Sequence, residues 1–487
     1  MGIKIRVPEI EVIITEDEFN FNKLEQKIWD IQMQQGRTIL ENMLEELDNL
    51  LAKSRNEGLK NKGLRSKYLS SRFGDILFRR RGYYDSANKF RYLLDEKIGL
   101  GKAQRVSSSR AKLEASLAFT KSYRETEGAF QFLLGSSRSF EAIRQQVIKI
   151  GTELRKEQEK EAEEIFEEKE AMDYSAATKT FAVLEADGTG IALQGESQKR
   201  TEVKLGIGYD GWGRRYRGGK GKSFGLLRKF VCLGIEEGEK FSEKFSLLAY
   251  KKLELEKVKH VIIGGDGAGW ITETLTGYFV NGIYQLCKFH LNRAIKRALP
   301  LWERWQRQVK NLLREDKINE AISLLRGIAF RLDRKGRKNI YELITYISNN
   351  RHGINGIKRL KKKLDKEERS ELRSTGAIEG NIDKAVCNRF KKRGMRWSIF
   401  GADCLLKVGE KMLNGEWESW WCEVKRFQPA PTLSIPARKK RYRDVLGKAH
   451  DDVWAEYLNH RIPALHGPAQ DRRWVELLKE QIHLVEN

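Results

Sequence analysis

The stretch HVIIGGDGAGW, residues 260–270, predicts a short apolar strand that ends at Asp266. Three β-rich segments with turn glycines between them precede it, and they predict an antiparallel meander. These segments are TFAVLEAD (180–187), KLGIGYDGW (204–212) and LLRKFVCLGI (226–235). Helical patterns around residues 241–256 and from near His290, with a further strand at Ile283–Cys287, complete this part. The centre of the chain is therefore predicted to be an α/β domain.

The predicted order is three strands, helix, strand, helix, strand, helix, which is the order of an RNase H-like domain. In that architecture one catalytic acid lies on the first strand and a second just after the fourth, and Asp187 and Asp266 occupy these places. Carboxylates at the strand ends of a rigid sheet can hold two Mg²⁺ ions about 3.5 to 4 Å apart beside a scissile phosphate. Asp210, in an Asp-Gly turn of the second strand, is the alternative first acid.

A third acid is expected on a later helix, after a helical insertion over residues 291–370. The segment STGAIEGNIDKAVCNRFKKRGMRW, residues 374–397, places Glu379 in the first turns of such a helix. Asp383, one turn later on the same face, is its rival. Four basic residues follow and are predicted to contact the DNA backbone: Arg389, Lys391, Lys392 and Arg393.

The bulk composition points to a polyanionic partner. The 487 residues carry 92 basic and 68 acidic side chains, a net charge of +24, so nucleic acid is the first candidate and an incidentally basic protein the alternative. The apolar runs are too short to span a bilayer, and the N-terminus lacks a secretory pattern, so we expect a cytoplasmic protein. The five cysteines are scattered, which predicts neither a disulfide framework nor a structural zinc site.

The N-terminal part is predicted to be mainly helical and to bind DNA. Residues 1–105 combine an amphipathic helix, with a break near Gly36, and an extended basic segment. In that segment Arg79, Arg80 and Arg81 lie between aromatic residues, which suits phosphate contact and stacking, although a solvated strand face is the alternative.

Residues 106–153 have the spacing of a helix-turn-helix, although helix pairs with such turns are also common outside DNA-binding proteins. Gly135 would end the first helix and Ser136 or Ser137 would cap the second. Arg138 and Arg144 would then face DNA. A charged helical linker over residues 154–173, a catalytic domain over 174–425 and a basic, Pro-containing appendage over 426–487 complete the predicted organisation.

Five segments together resemble the ISLre-two family of bacterial insertion-sequence transposases, a distant relative of the Mutator-like elements. They are LEADGTGIALQ, KLGIGYDGW, IIGGDGAGWI, YQLCKFHLNRAI and STGAIEGNIDKAVCNRFKKRGMRWS, and with FGDILFRRRGYYD the resemblance covers about residues 10–425. It implies an RNase H-like domain with a helical insertion before the glutamate, and Asp187, Asp266 and Glu379 as the metal-binding catalytic triad. Cys287 and His290 match the C/D-x-x-H element of the Mutator-like relatives, which implies a supporting role.

The expected function is a DNA transposase that uses two Mg²⁺ ions, with Mn²⁺ as a substitute. It would bind terminal inverted repeats, cut there and join the freed 3′-hydroxyl to target double-stranded DNA, as a homodimer or higher oligomer. Arg214, Arg215 and Arg217 are further expected backbone contacts. The alternatives are a non-catalytic DNA-binding regulator derived from a transposase, and an RNase H-like nuclease that cuts without joining.

Overall fold

A computed structural model describes residues 12–167, 179–214, 224–279 and 281–423. Contacts within the chain group residues 1–100 and 104–427 into one unit, and residues 101–103 with 428–487 into a second. All helices and strands of the described residues belong to the first unit. None of these helices has both the length and the apolar surface that crossing a bilayer requires. The predicted appendage over residues 426–487 lies outside the described residues.

The strands of the described residues are β1 (Lys60–Ser71), β2 (Gly74–Tyr84), β3 (Phe90–Arg91), β4 (Lys179–Ala192), β5 (Arg200–Tyr209), β6 (Gly211–Arg214), β7 (Phe224–Leu227), β8 (Phe230–Gly234), β9 (Val258–Gly265) and β10 (Gly282–Leu286). The α-helices are α1 (Phe21–Lys53), α2 (Leu93–Ile98), α3 (Ser108–Thr120), α4 (Tyr123–Leu134), α5 (Phe140–Glu167), α6 (Gly238–Leu253), α7 (Lys288–Ala298), α8 (Glu303–Arg314), α9 (Ile318–Ala329), α10 (Arg334–Asn349), α11 (Gly356–Lys363), α12 (Lys366–Glu371), α13 (Ile378–Ile382), α14 (Ile399–Leu413) and α15 (Trp417–Glu423). Two π-helical segments, Trp270–Leu275 and Asp383–Lys391, lie after β9 and α13.

The central sheet has five strands in the order β10-β9-β4-β5-β8. The strands β4, β5 and β8 are antiparallel to one another, as the meander predicts, whereas β9 and β10 run parallel to β4. The strand β8 and residues 261–265 of β9 are buried, which explains why these stretches have no charged residues. The strand β4 continues five residues past Asp187 to Ala192, so Asp187 does not end its strand as predicted.

Helices cover both faces of this sheet and produce a mixed α/β architecture. On one face Ile143, Val147 and Ile150 of α5 pack with Leu405 and Leu406 of α14 against the strands. On the other face α6 contributes Phe241, Phe245 and Ala249 to a second apolar cluster. The sheet is thereby held rigid at its centre, because both of its faces are close-packed.

The helices α7 to α11 form the predicted insertion between β10 and the segment that carries Glu379. They have an apolar core of their own, in which Val309, Leu325 and Ile347 are buried. Tyr284 and Leu286 of β10 also belong to this core, so the insertion is anchored to the edge of the central sheet.

At the N-terminus, α1 lies along the small sheet β1-β2-β3. The prediction of a break at Gly36 was wrong, since α1 is continuous over 33 residues. A Cβ atom at residue 36 would come within 2.6 Å of the Phe73 ring, so this glycine permits a close contact instead of ending the helix. Glu41, Glu45 and Asp48 of α1 accept hydrogen bonds from the backbone amides of Leu77, Arg79 and Arg81 in β2.

The predicted helix-turn-helix needs three corrections. Gly135 ends α4 in the left-handed conformation as predicted, but the residue that caps α5 is Ser139, whose hydroxyl accepts from the Ala142 amide, and not Ser136 or Ser137. Arg138 does not face outward, because it binds the fully buried Glu114 at 2.7 Å. The helices α3 and α5 also contribute to the core of the central sheet, so residues 106–153 are not a separate module.

The predicted solvated linker over residues 154–173 is also wrong over its described first half. Leu154 is fully buried, and Trp420 donates a hydrogen bond from its indole nitrogen to Glu157 Oε2 at 2.7 Å. Arg155 pairs with the mostly buried Asp403 of α14 at 3.2 Å. The charged side chains of this segment therefore have specific partners in the fold.

Candidate active site

Three neighbouring parallel strands bring the predicted site residues together. Glu185 of β4 is in register with Gly264 of β9, and Gly265 is in register with Leu286 of β10. Asp187, Asp266 and Cys287 consequently follow at the same edge of adjacent strands. The Cys287 amide donates to the Gly265 carbonyl at 2.7 Å, which fixes the start of α7 against β9.

His290 and Glu379 complete the group. His290 lies one turn into α7, and its Nδ1 is 3.3 Å from Glu379 Oε1. The Cys287 thiol lies 3.7 Å from the same carboxylate oxygen and can donate to it. Ligand atoms of Asp187, Asp266 and His290 lie within 4.8 Å of one another, as do those of Cys287, His290 and Glu379. The two groups share His290, so five predicted site residues converge on one place.

Backbone groups and the insertion hold the two aspartates in position. The Gly188 amide donates to Asp187 Oδ1 at 2.8 Å, and the Ala268 amide donates to Asp266 Oδ1 at 2.9 Å. Tyr346 of α10 donates from its hydroxyl to the carbonyl oxygen of Asp266 at 2.6 Å. The loop after Asp266 turns at Gly267, which has φ of +99° and leaves no room for a Cβ beside Asn350.

Burial dominates the electrostatics of the site. It raises the pKa of Asp187 to about 6, an effect that the nearby His290 and the Gly188 amide oppose and that Asp266 and Glu379 reinforce. Burial also raises the pKa of the Cys287 thiol to about 11. Because burial favours the neutral thiol, Cys287 can donate a hydrogen bond to Glu379.

The donor set fits a divalent cation with hard ligands. Asp187, Asp266 and Glu379 offer carboxylate oxygens, which Mg²⁺ and Mn²⁺ prefer. His290 Nδ1 is buried and forms no hydrogen bond of good geometry among the described residues, so it is available as a further ligand or as a positioning group. Three carboxylates so close together repel one another, and a cation between them would relieve that repulsion.

Glu185 is a part of the site that the sequence interpretation missed. It lies two residues before Asp187 on the same face of β4 and is only 1% exposed. Its carboxylate accepts backbone hydrogen bonds from Gly376, Ala377 and Ile378 at 2.8, 3.2 and 3.3 Å, which are the residues directly before Glu379. The Tyr209 hydroxyl donates to the same carboxylate at 2.6 Å. A carboxylate within an otherwise apolar strand was the sequence signal for this role.

The two rival acids lie outside the cluster. Asp210 directly follows Tyr209, the last residue of β5, which pairs with Val183 of β4. Asp187 instead pairs with Leu205, four residues earlier in β5, so Asp210 lies toward the other end of the strand pair. Asp210 binds Arg228 at 2.7 Å. The side chain of Asp383 is 53% exposed and binds Lys392 at 3.0 Å. Glu379, not Asp383, therefore joins the two aspartates.

Several predicted DNA contacts are structural residues instead. Arg80 is buried, pairs with Asp95 at 2.7 Å and stacks on Tyr92. Arg389 is 5% exposed and donates to the Ala118 carbonyl at 2.8 Å. Together with Arg138, these arginines stabilise the fold. The prediction that they contact DNA was wrong, because their guanidinium groups are committed to partners within the protein.

Other predicted contacts lie at the surface. Lys391 and Lys392 are exposed, and the Lys391 ammonium donates to the Thr189 hydroxyl at 2.8 Å, beyond Asp187 on β4. Arg79, Arg81 and Arg144 are partly exposed, and each pairs with a carboxylate of a neighbouring helix residue: Glu45, Asp48 and Glu141. Arg215, Arg217 and the side chains of Arg214 and Arg393 lie outside the described residues.

Comparison with known proteins identifies the family. A family profile described as "Uncharacterised protein family (UPF0236)" matches residues 14–424, most of the chain. The chain belongs to the UPF0236 family. A UPF0236 protein of Caldanaerobacter subterraneus subsp. tengcongensis is 25% identical over 410 residues, which cover 81% of this chain and 78% of that relative. A Streptococcus gallolyticus relative, named "UPF0236 protein in vanSb 3'region", is 22% identical over 448 residues, 89% of this chain and 91% of its own length.

The UPF0236 match covers the α-helices and strands of the described residues. It begins just before α1 and ends with α15, so it includes the N-terminal sheet, the central sheet and the insertion. All five residues of the candidate site lie within it.

Proposed function

We propose that this UPF0236 protein is a DNA transposase with an RNase H-like catalytic domain, similar to the ISLre-two family. The observation that carries the proposal is the convergence of Asp187, Asp266 and Glu379, three acids from distant parts of the chain, at one edge of the central sheet. The antiparallel order β4-β5-β8 with β9 and β10 parallel to β4 supports it. The net charge of +24 supports a double-stranded DNA partner.

In the proposed reaction, Asp187, Asp266 and Glu379 would hold the metal ions beside the scissile phosphate. Two Mg²⁺ ions, or Mn²⁺ in their place, supply activation of the attacking oxygen and stabilisation of the leaving oxygen. In the first step water attacks phosphorus and the P–O3′ bond breaks at the element end, which leaves a 3′-hydroxyl. In the second step the oxygen of this hydroxyl attacks a phosphodiester of target DNA and forms a new P–O3′ bond, while the P–O3′ bond of the target breaks and the displaced oxygen takes up a proton to leave a target 3′-hydroxyl. His290 and Cys287 orient the Glu379 carboxylate through the contacts at 3.3 and 3.7 Å.

The names of the relatives give independent support. The name of the Caldanaerobacter relative described above joins eleven locus designations of one genome, and that of another joins four. Many loci that share one protein name are expected of a sequence that copies itself within its host. We further propose that the chain acts in the cytoplasm, on the nucleoid, as a homodimer or higher oligomer that pairs two element ends.

The test is cleavage and joining of labelled duplexes taken from the DNA that flanks the gene on both sides. The intact protein with Mg²⁺ is expected to nick these duplexes and to join them to a target plasmid. Asp266→Asn should lose both activities and keep DNA binding, because it removes a charged ligand at nearly constant volume. Asp383→Asn is the matched control, an acid on the same helical segment as Glu379 but outside the cluster, and it should remain active.

Other results would redirect the proposal. Nicking without joining would identify a structure-selective nuclease. Binding without nicking under Mg²⁺ and Mn²⁺ would identify a DNA-binding regulator derived from a transposase. Equal activity of Asp266→Asn and the intact protein would refute the site itself.

A further inference from the structure

A basic cavity lies between the helical insertion and the segment that leads to Glu379. It has a volume of about 530 Å³ and lies between α7, α8, α11 and the loop that leads to α13. This volume is within the range of about 300 to 1,000 Å³ that is usual for ligand sites. Five of its lining residues are cationic: Lys288, Lys310, Arg314, Lys358 and Lys361.

The cavity has a strongly one-sided charge. Its described lining residues include no carboxylate, and none of the five cations forms an ion pair within the described residues. Elsewhere the basic side chains of this fold commonly pair with acids, as Arg359 does with Asp316 at 3.2 Å. Five cations around one depression repel one another, and a polyanion would offset that repulsion.

Residues that line the cavity are next to active-site residues along the chain. Lys288 directly follows Cys287, and Ser374 and Thr375 directly precede the Gly376 amide that Glu185 binds. The cavity floor is the edge of the central sheet, where the buried Gln285 of β10 accepts a hydrogen bond from the Ile357 amide at 2.9 Å. A DNA strand that continued from the active site toward Lys288 and Ser374 would meet the five cations.

We infer that this cavity binds the backbone of the DNA strand that continues from the scissile phosphate. A single small anion would engage only some of the cations, which come from three helices, whereas successive phosphates of one strand can engage them all. Apolar side chains of the insertion core, including Leu291 and Ile354, line the cavity between the cations and suit the sugar and base of the same strand. This inference rests on the proposed function, since it assigns a path to its substrate.

The test compares two double variants that remove equal charge. Lys310→Gln with Lys361→Gln removes two cations of the cavity, and Lys296→Gln with Lys362→Gln removes two exposed cations of α7 and α11 that do not line it. Binding of a fluorescent duplex a few helical turns long is measured over a series of salt concentrations. The cavity variant should bind about tenfold more weakly for each phosphate that it no longer neutralises, and the slope of log K against log salt should fall by about 0.9 for each such phosphate. The control variant should keep both the affinity and the slope.

A second measurement does not depend on catalysis. Acetylation of lysines in the intact protein, read by mass spectrometry, should be suppressed by the duplex at Lys310 and Lys361 but not at Lys296 and Lys362. If the protein binds DNA but the cavity lysines react as before and both variants behave alike, the inference is overturned and the proposed function stands. If the cavity lysines are protected but the flanking DNA is never cut, the cavity is a DNA-binding site and the proposed function fails. If the protein does not bind the duplex, both are overturned.

Discussion

Replacing Glu185 with glutamine tests whether this buried carboxylate positions Glu379. The carboxylate accepts four hydrogen bonds, from three successive amides before Glu379 and from the Tyr209 hydroxyl. Glutamine has almost the same volume but only one acceptor oxygen. The change therefore leaves the fold of β4 in place and removes acceptors from the segment that carries the third acid.

The magnitude follows from counting the partners of each oxygen. Oε2 serves Gly376 and Ile378, and Oε1 serves Ala377 and Tyr209. In its best orientation the glutamine keeps its oxygen toward Gly376 and Ile378 and donates from its amide nitrogen to the Tyr209 oxygen. The Ala377 amide then loses its partner, at a cost of about 1 to 3 kcal/mol for one unsatisfied buried donor.

The assay is amide hydrogen exchange of the peptide that spans residues 374–380. A loss of about 1 to 3 kcal/mol in local opening free energy corresponds to exchange that is roughly 5- to 150-fold faster. Glu202→Gln is the matched control, because Glu202 is exposed on the neighbouring strand β5, and it should leave exchange in this peptide unchanged. Unaltered exchange in Glu185→Gln would show that the carboxylate does not hold the segment, and the positioning role would be abandoned.

Two further predictions concern stability. Gly151→Ala should lower the free energy of unfolding by about 1 to 3 kcal/mol in urea titrations, because its Cβ would lie 2.4 Å from the Cys404 carbonyl oxygen. Gly128→Ala, in open space, should raise the free energy of unfolding by about 0.5 to 1 kcal/mol. Equal effects of the two substitutions would contradict the close approach of α5 and α14. Burial disfavours the Glu236 carboxylate, but Lys407 and Lys244 more than offset it and lower its pKa, so the unfolding free energy of the wild type should fall as pH drops below the unfolded pKa of about 4.3. Glu236→Gln should flatten this acid limb, and an equally steep decline in the variant would argue against the ion pair.

The sequence predicted the strands of the central sheet because their apolar patterns are local. Asp187 and Asp266 could be placed on that basis, since a strand and its end are defined by a few neighbouring residues. The side chain that holds Glu379 could not be found in the same way, because Glu185 and the amides that it binds are about 190 residues apart in the sequence. The convergence of Glu379 on the aspartates was anticipated through the family resemblance and not through any local pattern.

The wrong predictions also have a physical cause. Arg138 was expected at the surface because its turn looked like a DNA-binding turn, but its buried partner Glu114 lies on an earlier helix. The inward position of Arg80 could have been predicted from the sequence. Arg80 follows Ile76 and Phe78 at two-residue spacing, so the period of a strand places all three on the same, buried face of β2. A charged residue in phase with buried apolar neighbours points to an internal ion pair, here with Asp95.

The three acids of α1 that bind β2 limit how this strand can pair with another chain. An unpaired strand edge is a template for a strand of another molecule. Between residues 77 and 81, however, Glu41, Glu45 and Asp48 already occupy the amide donors that such a strand would need. Two copies of the chain therefore cannot pair strand to strand across this part of the edge without breaking these hydrogen bonds.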